Sequence, residues 1–438
     1  VALPTDDALV HARDLLTYLH AAPTPHHVVG ETRTRLEAAG FEQLTGTAAW
    51  PASAGRFYVV EGGAIIAWVA PDLAGRAPGF TLIGAHTDSP GFRIKPRPDT
   101  GRAGFRQLGA EVYGGPLLNS WLDRDLGLAG SVVVRGADGP EALTFRDDRP
   151  LLRIPQLAIH LDRDVNDKGL HLDRQRHLLP VWGLGDVDEG GFFAYLGEQL
   201  RVAATDIVSF DVAPFDVQPA ALAGPADEFV SGARLDNLVS CHAGLCALVA
   251  VSAAEPAGAP PRRIPVLALF DHEEVGSTSD TGANGALLGR VLERITLAAG
   301  GSRDDHLRAL AASQCISTDM AHATHPNYAE RHDPDHPVRI NGGPVLKINA
   351  QQRYASEAVG IADFTVACER AGVPVQHFVS NNAMPCGSTI GPLTAANLGV
   401  RTLDVGVAQL GMHSIRELCG SADPLRLTQA LVATLRTP

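Results

Sequence analysis

Apolar positions along this chain fall into two textures. Near the N-terminus, "DDALVHARDLLTYLHAA" and "HHVVGETRTRLEAAG" repeat them every three to four residues, which predicts two helices, the first capped by Thr5 and the second ended at Gly40. "GRFYVVEGG" and "GAIIAWVA" are short β-branched or aromatic runs and predict strands. "FTLIGAHTDSP" passes from an apolar run into a polar, Pro-terminated loop, leaving His86 and Asp88 at a strand end. From 93 to 225 the texture changes to short apolar stretches rich in Gly and Pro, as in "LLRIPQLAIHLDR" and "DIVSFDVAPFDVQPA", which predicts an inserted, mostly β domain.

Beyond that insert, helix and strand patterns alternate. "LDNLVSCHAGLCALVAVSAA", "GANGALLGRVLERITLAAG" and "SEAVGIADFTVACERAG" predict helices, the last capped by Ser356, and "STIGPLTAANLG" starts another. "RIPVLALF", "CISTDM", "VPVQHFVS" and "RTLDVGVAQ" predict strands, "RTLDVGVAQ" being the last, and "SIRE" (Ser414 to Glu417) has the form of a capping box. The expected fold class is α/β: a mixed, largely parallel sheet sandwiched by helices, built from 1–92 and 226–438 and interrupted by the β-rich insert 93–225.

Composition removes several functions. A net charge of -13 argues against nucleic acid or an anionic membrane surface as partner, because both require a basic footprint. Six cysteines, at 241, 246, 315, 368, 386 and 419, are too scattered for a zinc knuckle or a secreted disulfide scaffold and read as small buried hydrophobes. The N-terminus lacks the basic segment of a signal peptide, and no charge-free run approaches eighteen apolar residues, so the expected setting is cytoplasmic, with no membrane span.

In open α/β sheets, loops beyond the carboxyl ends of the strands converge on ligands. His86 follows "TLIGA", Glu273 and Glu274 follow "VLALFDH", Asp319 follows "CIST", His413 follows "DVGVAQLGM", and Asp236 stands at a helix start in "SGARLDN". Two imidazoles and several carboxylates form a mixed nitrogen and oxygen donor set suited to zinc first, with cobalt and manganese compatible. Five ligands exceed one catalytic zinc's usual three, which predicts two divalent ions bridged by a carboxylate, Asp236 being the choice. A dinuclear hydrolase needs one carboxylate on metal and another free to take a proton from water; Glu274 is assigned the first role and Glu273 the second. Asp88, two residues past His86, is placed to orient that imidazole, or else to form the turn before Pro90.

The stretches "GAHTDSPGFRIKP", "WLDRDLGLAG", "IPQLAIHLDR", "SGARLDN", "FDHEEVGS", "DMAHATHPNY", "NGGPVLKINAQQRYA", "PCGSTIGP" and "GVAQLGMHSIRE" resemble, in order and across nearly the whole chain, the M18 metallopeptidases, the aspartyl aminopeptidases. The resemblance implies one metal on His86, Asp236 and Asp319 and another on Asp236, Glu274 and His413, with Glu273 as general base and Asp88 in support. It implies a dinuclear zinc exopeptidase fold whose insert mediates dimers, assembled into a hollow tetrahedral dodecamer. His160, in "AIHLDR", would then reach a neighbouring subunit's site and steady the oxyanion. Lys347, in "GGPVLKIN", matches the family's candidate for binding an acidic first side chain, and is one of only three lysines in the chain. A lysine snorkelling at a strand edge is the alternative there. Ser388 sits in no nucleophile elbow; the glycines of "PCGSTIGP" would let backbone approach substrate closely, and Ser388 could equally cap the next helix, while the histidines from His322 and His325 to His336 read as a packing loop. The expected reaction is hydrolysis of the first peptide bond of a substrate with a free N-terminal Asp or Glu; neutral or acylated N-termini on the same centre are the alternative.

Overall fold

A nine-stranded mixed sheet organises the larger part of the chain. Its strands lie in the order Glu42–Gln43, Gly55–Glu61, Ala64–Ala70, Arg263–Phe270, Gly79–His86, Gln314–Thr318, Arg401–Gly406, Val345–Ile348, Gln376–Val379. The four strands at its centre, from Arg263–Phe270 to Arg401–Gly406, are mutually parallel. The computed structural model describes residues 3–71, 78–253 and 263–437. These divide into two units, one taking the chain up to Asp88, then Ala220–Met412 and Glu417 onward, the other Ser89–Pro219 and His413–Arg416.

Both faces of the central sheet are buried, and the alternation of side chains shows how. Along Gly79–His86, Ile83 and Ala85 join one apolar core while Phe80 and Leu82 join the other. Arg263–Phe270 does the same, with Leu267 and Leu269 on one side and Val266, Ala268 and Phe270 on the other. Such a sheet must have helices on each side, as expected. Among the described residues one helix, Leu235–Ser252, is long and apolar enough to cross a membrane by length and composition. Here it is a core element, with Leu238, Val239 and Leu248 fully buried among apolar neighbours from the sheet and from Asp423–Leu435.

Several local expectations hold and several do not. Thr5 caps Asp6–Ala21 by accepting from the Ala8 N–H at 3.3 Å, and Gly40 takes a left-handed conformation after Pro25–Ala38. Ser356 caps nothing: its hydroxyl accepts from the Asp404 N–H at 3.0 Å, and the following helix begins at Ala358. "SIRE" starts no helix either. Glu417 opens a strand, Glu417–Gly420, in a separate five-stranded sheet, because its carboxylate is used inside the protein. "RTLDVGVAQ" is therefore not the last strand; it breaks at Val407 into Arg401–Gly406 and Ala408–Leu410, which belong to different sheets.

The other unit is built on two three-stranded antiparallel sheets. One pairs Leu126–Gly136 with Gly139–Leu152 and Ile207–Asp216; the other pairs Phe105–Tyr113 with Gly91–Arg102 and Val181–Leu184. A helix, Gly191–Leu200, which the Gly-rich texture concealed, packs Phe192 and Leu196 into its core.

If Leu235–Ser252 packs as described, Leu248→Ala should lower unfolding free energy by about 2–5 kcal/mol, the cost of a cavity in a close-packed core. Urea denaturation measures this; a loss under about 0.5 kcal/mol, as at an exposed site, would mean the helix is not packed there.

Candidate metal centre

Strand register explains why distant residues meet. In parallel pairing Phe270 lies beside His86 and Ser317 beside Gly84, so three neighbouring strands finish almost level. The residues that leave those ends are His86, the loop Asp271 to Glu274, and Asp319. Asp236 reaches the same place from the irregular first turn of Leu235–Ser252, where Asp236 and Asn237 have non-helical backbone angles. It is not a helix cap. Its N–H donates to Glu417 Oε2 at 3.0 Å, and Asn237 Nδ2 donates to the Thr318 carbonyl at 2.8 Å, tying this turn to the strand that delivers Asp319.

His86 is the hub. Its Nδ1 lies 3.0 Å from the Asp88 carbonyl oxygen, the contact of a ring N–H donor, which turns Nε2 toward Asp236 and Asp319. Nε2 is 3.3 Å from Asp236 Oδ1 and 3.5 Å from Asp319 Oδ1. These separations exceed a good charge-assisted hydrogen bond and approach the roughly 3.3 Å between ligand atoms around a tetrahedral ion bound at about 2.0–2.1 Å. Burial opposes an imidazolium here, but the carboxylates of Asp236, Asp319 and Asp88 outweigh it and raise the His86 pKa well above the usual histidine range. A proton thus serves as the positive charge the carboxylates require.

The paired glutamates are held by Asp88 in a way the sequence did not suggest. Its two carboxylate oxygens accept from successive backbone N–H groups, Glu273 to Oδ1 and Glu274 to Oδ2, each at 3.0 Å. His272 and Gly276, both left-handed, bracket the single 3₁₀ turn Glu273–Val275. Burial, then the charges of Asp319, Asp236 and Asp88, push the Glu273 pKa up to about 8 against the opposing pull of His86. Burial and the adjacent Asp236 raise Glu274 well above the carboxylate range. On Asp319 burial acts upward, but Lys347 and His86 hold the carboxyl well below that range; Lys347 Nζ is 3.3 Å from Asp319 Oδ2.

Ligand-type atoms of His86, Asp236 and Asp319 lie within 4.8 Å of one another, as do those of His86, Glu273 and Glu274. Asp236 faces both groups. Two such clusters crowd five carboxylates, counting Asp88, around one imidazole and one ammonium; the donor chemistry and the excess negative charge fit two divalent cations. The structure therefore supports a dinuclear metal site.

The remaining expected residues lie as follows. Lys347 is buried on Val345–Ile348, 5.4 Å from the centre of the Tyr354 ring, so it is no snorkelling edge lysine. His413, left-handed and half-buried, belongs to the short segment grouped with the second unit, where its Nδ1 donates to the Gly115 carbonyl at 3.0 Å. His160 is exposed on a turn in that unit. Thr389, not Ser388, caps Ile390–Leu398. His325 and His332 are spent within their own loop, the His325 N–H donating to His332 Nε2 at 3.0 Å. Among the buried acids that went unnoticed in the sequence are Glu417 and Asp404. Glu417 was hidden in the apparent capping box. Asp404 accepts from Ser317 Oγ, Thr389 Oγ1 and the Ala355 N–H, each at 2.6 Å; a lone acid inside the apolar run "RTLDVGVAQ" was its signal.

The Asp88 clamp makes a direct prediction. Asp88→Asn keeps one acceptor oxygen and loses the other, so one glutamate N–H is released; metal affinity should fall about 10–100-fold. Metal titration of the apoprotein checks this, and unchanged affinity would contradict the clamp.

Comparison with known proteins agrees with this geometry. The aminopeptidase I zinc metalloprotease (M18) profile matches residues 18–433. A probable M18 family aminopeptidase 2 of Streptomyces coelicolor is 56% identical over 427 residues, 97% of this chain and 98% of that protein. Ape4, solved by cryo-EM in a complex with Nbr1, superposes with a TM-score of 0.91 at 34% identity, covering 100% of this chain and 88% of that one. The S. cerevisiae mApe1 dodecamer gives a TM-score of 0.84 at 26% identity, over 96% and 95% of the two chains. Match, coverage and metal clusters together establish that the chain belongs to the M18 family of metal-dependent aminopeptidases.

Proposed function

We propose that this aminopeptidase prefers peptides with a free N-terminal aspartate or glutamate. The observation that carries the reading is Lys347, a buried ammonium 3.3 Å from the Asp319 carboxylate in a chain of net charge -13. Once metal neutralises Asp319, that ammonium has positive charge to offer an acidic side chain, against the sign of the surrounding field.

The first ion is assigned to His86, Asp236 and Asp319, and the second to Asp236 and Glu274 with His413 as its third ligand. His413 enters on the family resemblance and on its chain position, directly after Met412. Zinc fits this donor set best, and when bound the two ions would polarise the scissile carbonyl and acidify the attacking water. Glu273 takes the proton of that water and passes it to the leaving amine. Asp88 holds the Glu273 backbone while the side chain works. His160, supplied by a neighbouring subunit, would donate to the oxyanion; the dodecamer of S. cerevisiae mApe1 motivates proposing the same assembly here. The six free cysteines suit a reducing compartment, and a cytoplasmic setting is proposed with them.

One experiment tests reaction and specificity together. The metal-loaded enzyme should cleave N-terminal Asp and Glu peptides with a kcat/KM well above that for Leu or acetylated peptides, and Glu273→Gln should lose about 10²–10⁴-fold in turnover with metal content intact. Faster cleavage of Leu or acetylated substrates would overturn the specificity; a normally active Glu273→Gln enzyme would overturn the base.

A further inference from the structure

A second group of ligand-type side chains lies away from the catalytic centre, where helix Asp6–Ala21 meets helix Leu235–Ser252. His11 and Asp14, three residues apart, share a face of the first helix; His242 and Cys246, four apart, share a face of the second. Ligand atoms of His11, His242 and Cys246 fall within 4.8 Å of one another. Cys246 Sγ is 3.6 Å from His242 Nε2. Around a tetrahedral zinc ion, with sulfur at about 2.3 Å and nitrogen at about 2.0–2.1 Å, that edge is roughly 3.5–3.6 Å. Asp14 Oδ2 stands 2.7 Å from the same Nε2, a hydrogen-bond distance shorter than the roughly 3.3 Å edge between zinc ligands, and accepts from Arg35 Nη1 at 2.8 Å, so the carboxylate waits beside the group and would move outward to ligate.

His242 is fully buried; its Nε2 faces Asp14 and Cys246, and its Nδ1 has no hydrogen-bond partner among the described residues. The His11 ring is oriented from outside the group: Thr428 donates its hydroxyl hydrogen to the Pro424 carbonyl at 3.0 Å and so accepts from His11 Nε2–H at 3.2 Å. Such an outer partner is what a metal-bound imidazole usually has. The Asp14 side chain, 46% exposed, leaves one side open to solvent as an entry path.

We propose that His11, His242 and Cys246, with Asp14 as fourth ligand, form a structural zinc site that staples the N-terminal helix to the core helix. Binding releases one proton to solvent, from the Cys246 thiol, while the hydrogen that His242 Nε2 shares with Asp14 moves to Nδ1. Two neutral imidazoles, a thiolate and a carboxylate then balance the dipositive ion. This site is independent of the catalytic assignment, and its donor set differs from that of the catalytic clusters by including sulfur.

Cobalt reads that difference. Full-length enzyme loaded with Co2+ alone should show a near-ultraviolet thiolate-to-cobalt charge-transfer band, which the nitrogen and oxygen donors of the catalytic clusters cannot produce. Cys246→Ala should lose the band and one metal equivalent per chain, measured by elemental analysis after Zn2+ loading, while keeping aminopeptidase activity. His11→Gln, which retains the thiol, should lose the same equivalent and so guards against a folding defect in the first variant. Absence of the band in the wild-type enzyme, or equal metal content in the wild type and both variants, would overturn the site.

Discussion

Mutual repulsion among carboxylates that cannot escape to water is the constraint around which this protein is arranged. Asp88, Asp236, Glu273, Glu274 and Asp319 converge on His86 at the ends of buried strands, where removing each charge from solvent costs several kcal/mol. The fold tolerates this because the backbone is fastened before the charges are considered. Asp88 grips the Glu273 and Glu274 amides, Glu417 grips Asp236, and Lys347 faces Asp319. Without cations the remaining imbalance is met by protons on His86 and the glutamates. Divalent ions relieve the same strain while doing chemistry, so the centre's electrostatic debt and its function have one solution.

Much of this was legible before any coordinates. Strands buried on both faces read as continuous apolar runs, so the polar residues that end them stood out: His86, the glutamate pair and Asp319. The fold class followed from the alternation of helix and strand, and the motifs in their order resembled one family.

What escaped was contact through backbone or across long sequence distances. Asp88 looked like an orienting partner for His86, yet its larger work is on two amides about 185 residues away, which no local pattern encodes. Ser356 looked like a helix cap because its spacing suits one; a buried Asp404 offered it a tertiary partner instead. "SIRE" had the letters of a capping box, but Glu417 serves Asp236 and its segment pairs as a strand. In each case a tertiary hydrogen bond overrode a local preference.

The central claim is that His86, Asp236 and Asp319 hold a metal ion, and anomalous diffraction from zinc-loaded crystals tests it most directly. The account predicts a zinc peak about 2.0–2.2 Å from His86 Nε2 and from a carboxylate oxygen of each aspartate. Ordered side chains of all three with no zinc peak among them, in crystals of active enzyme, would contradict it.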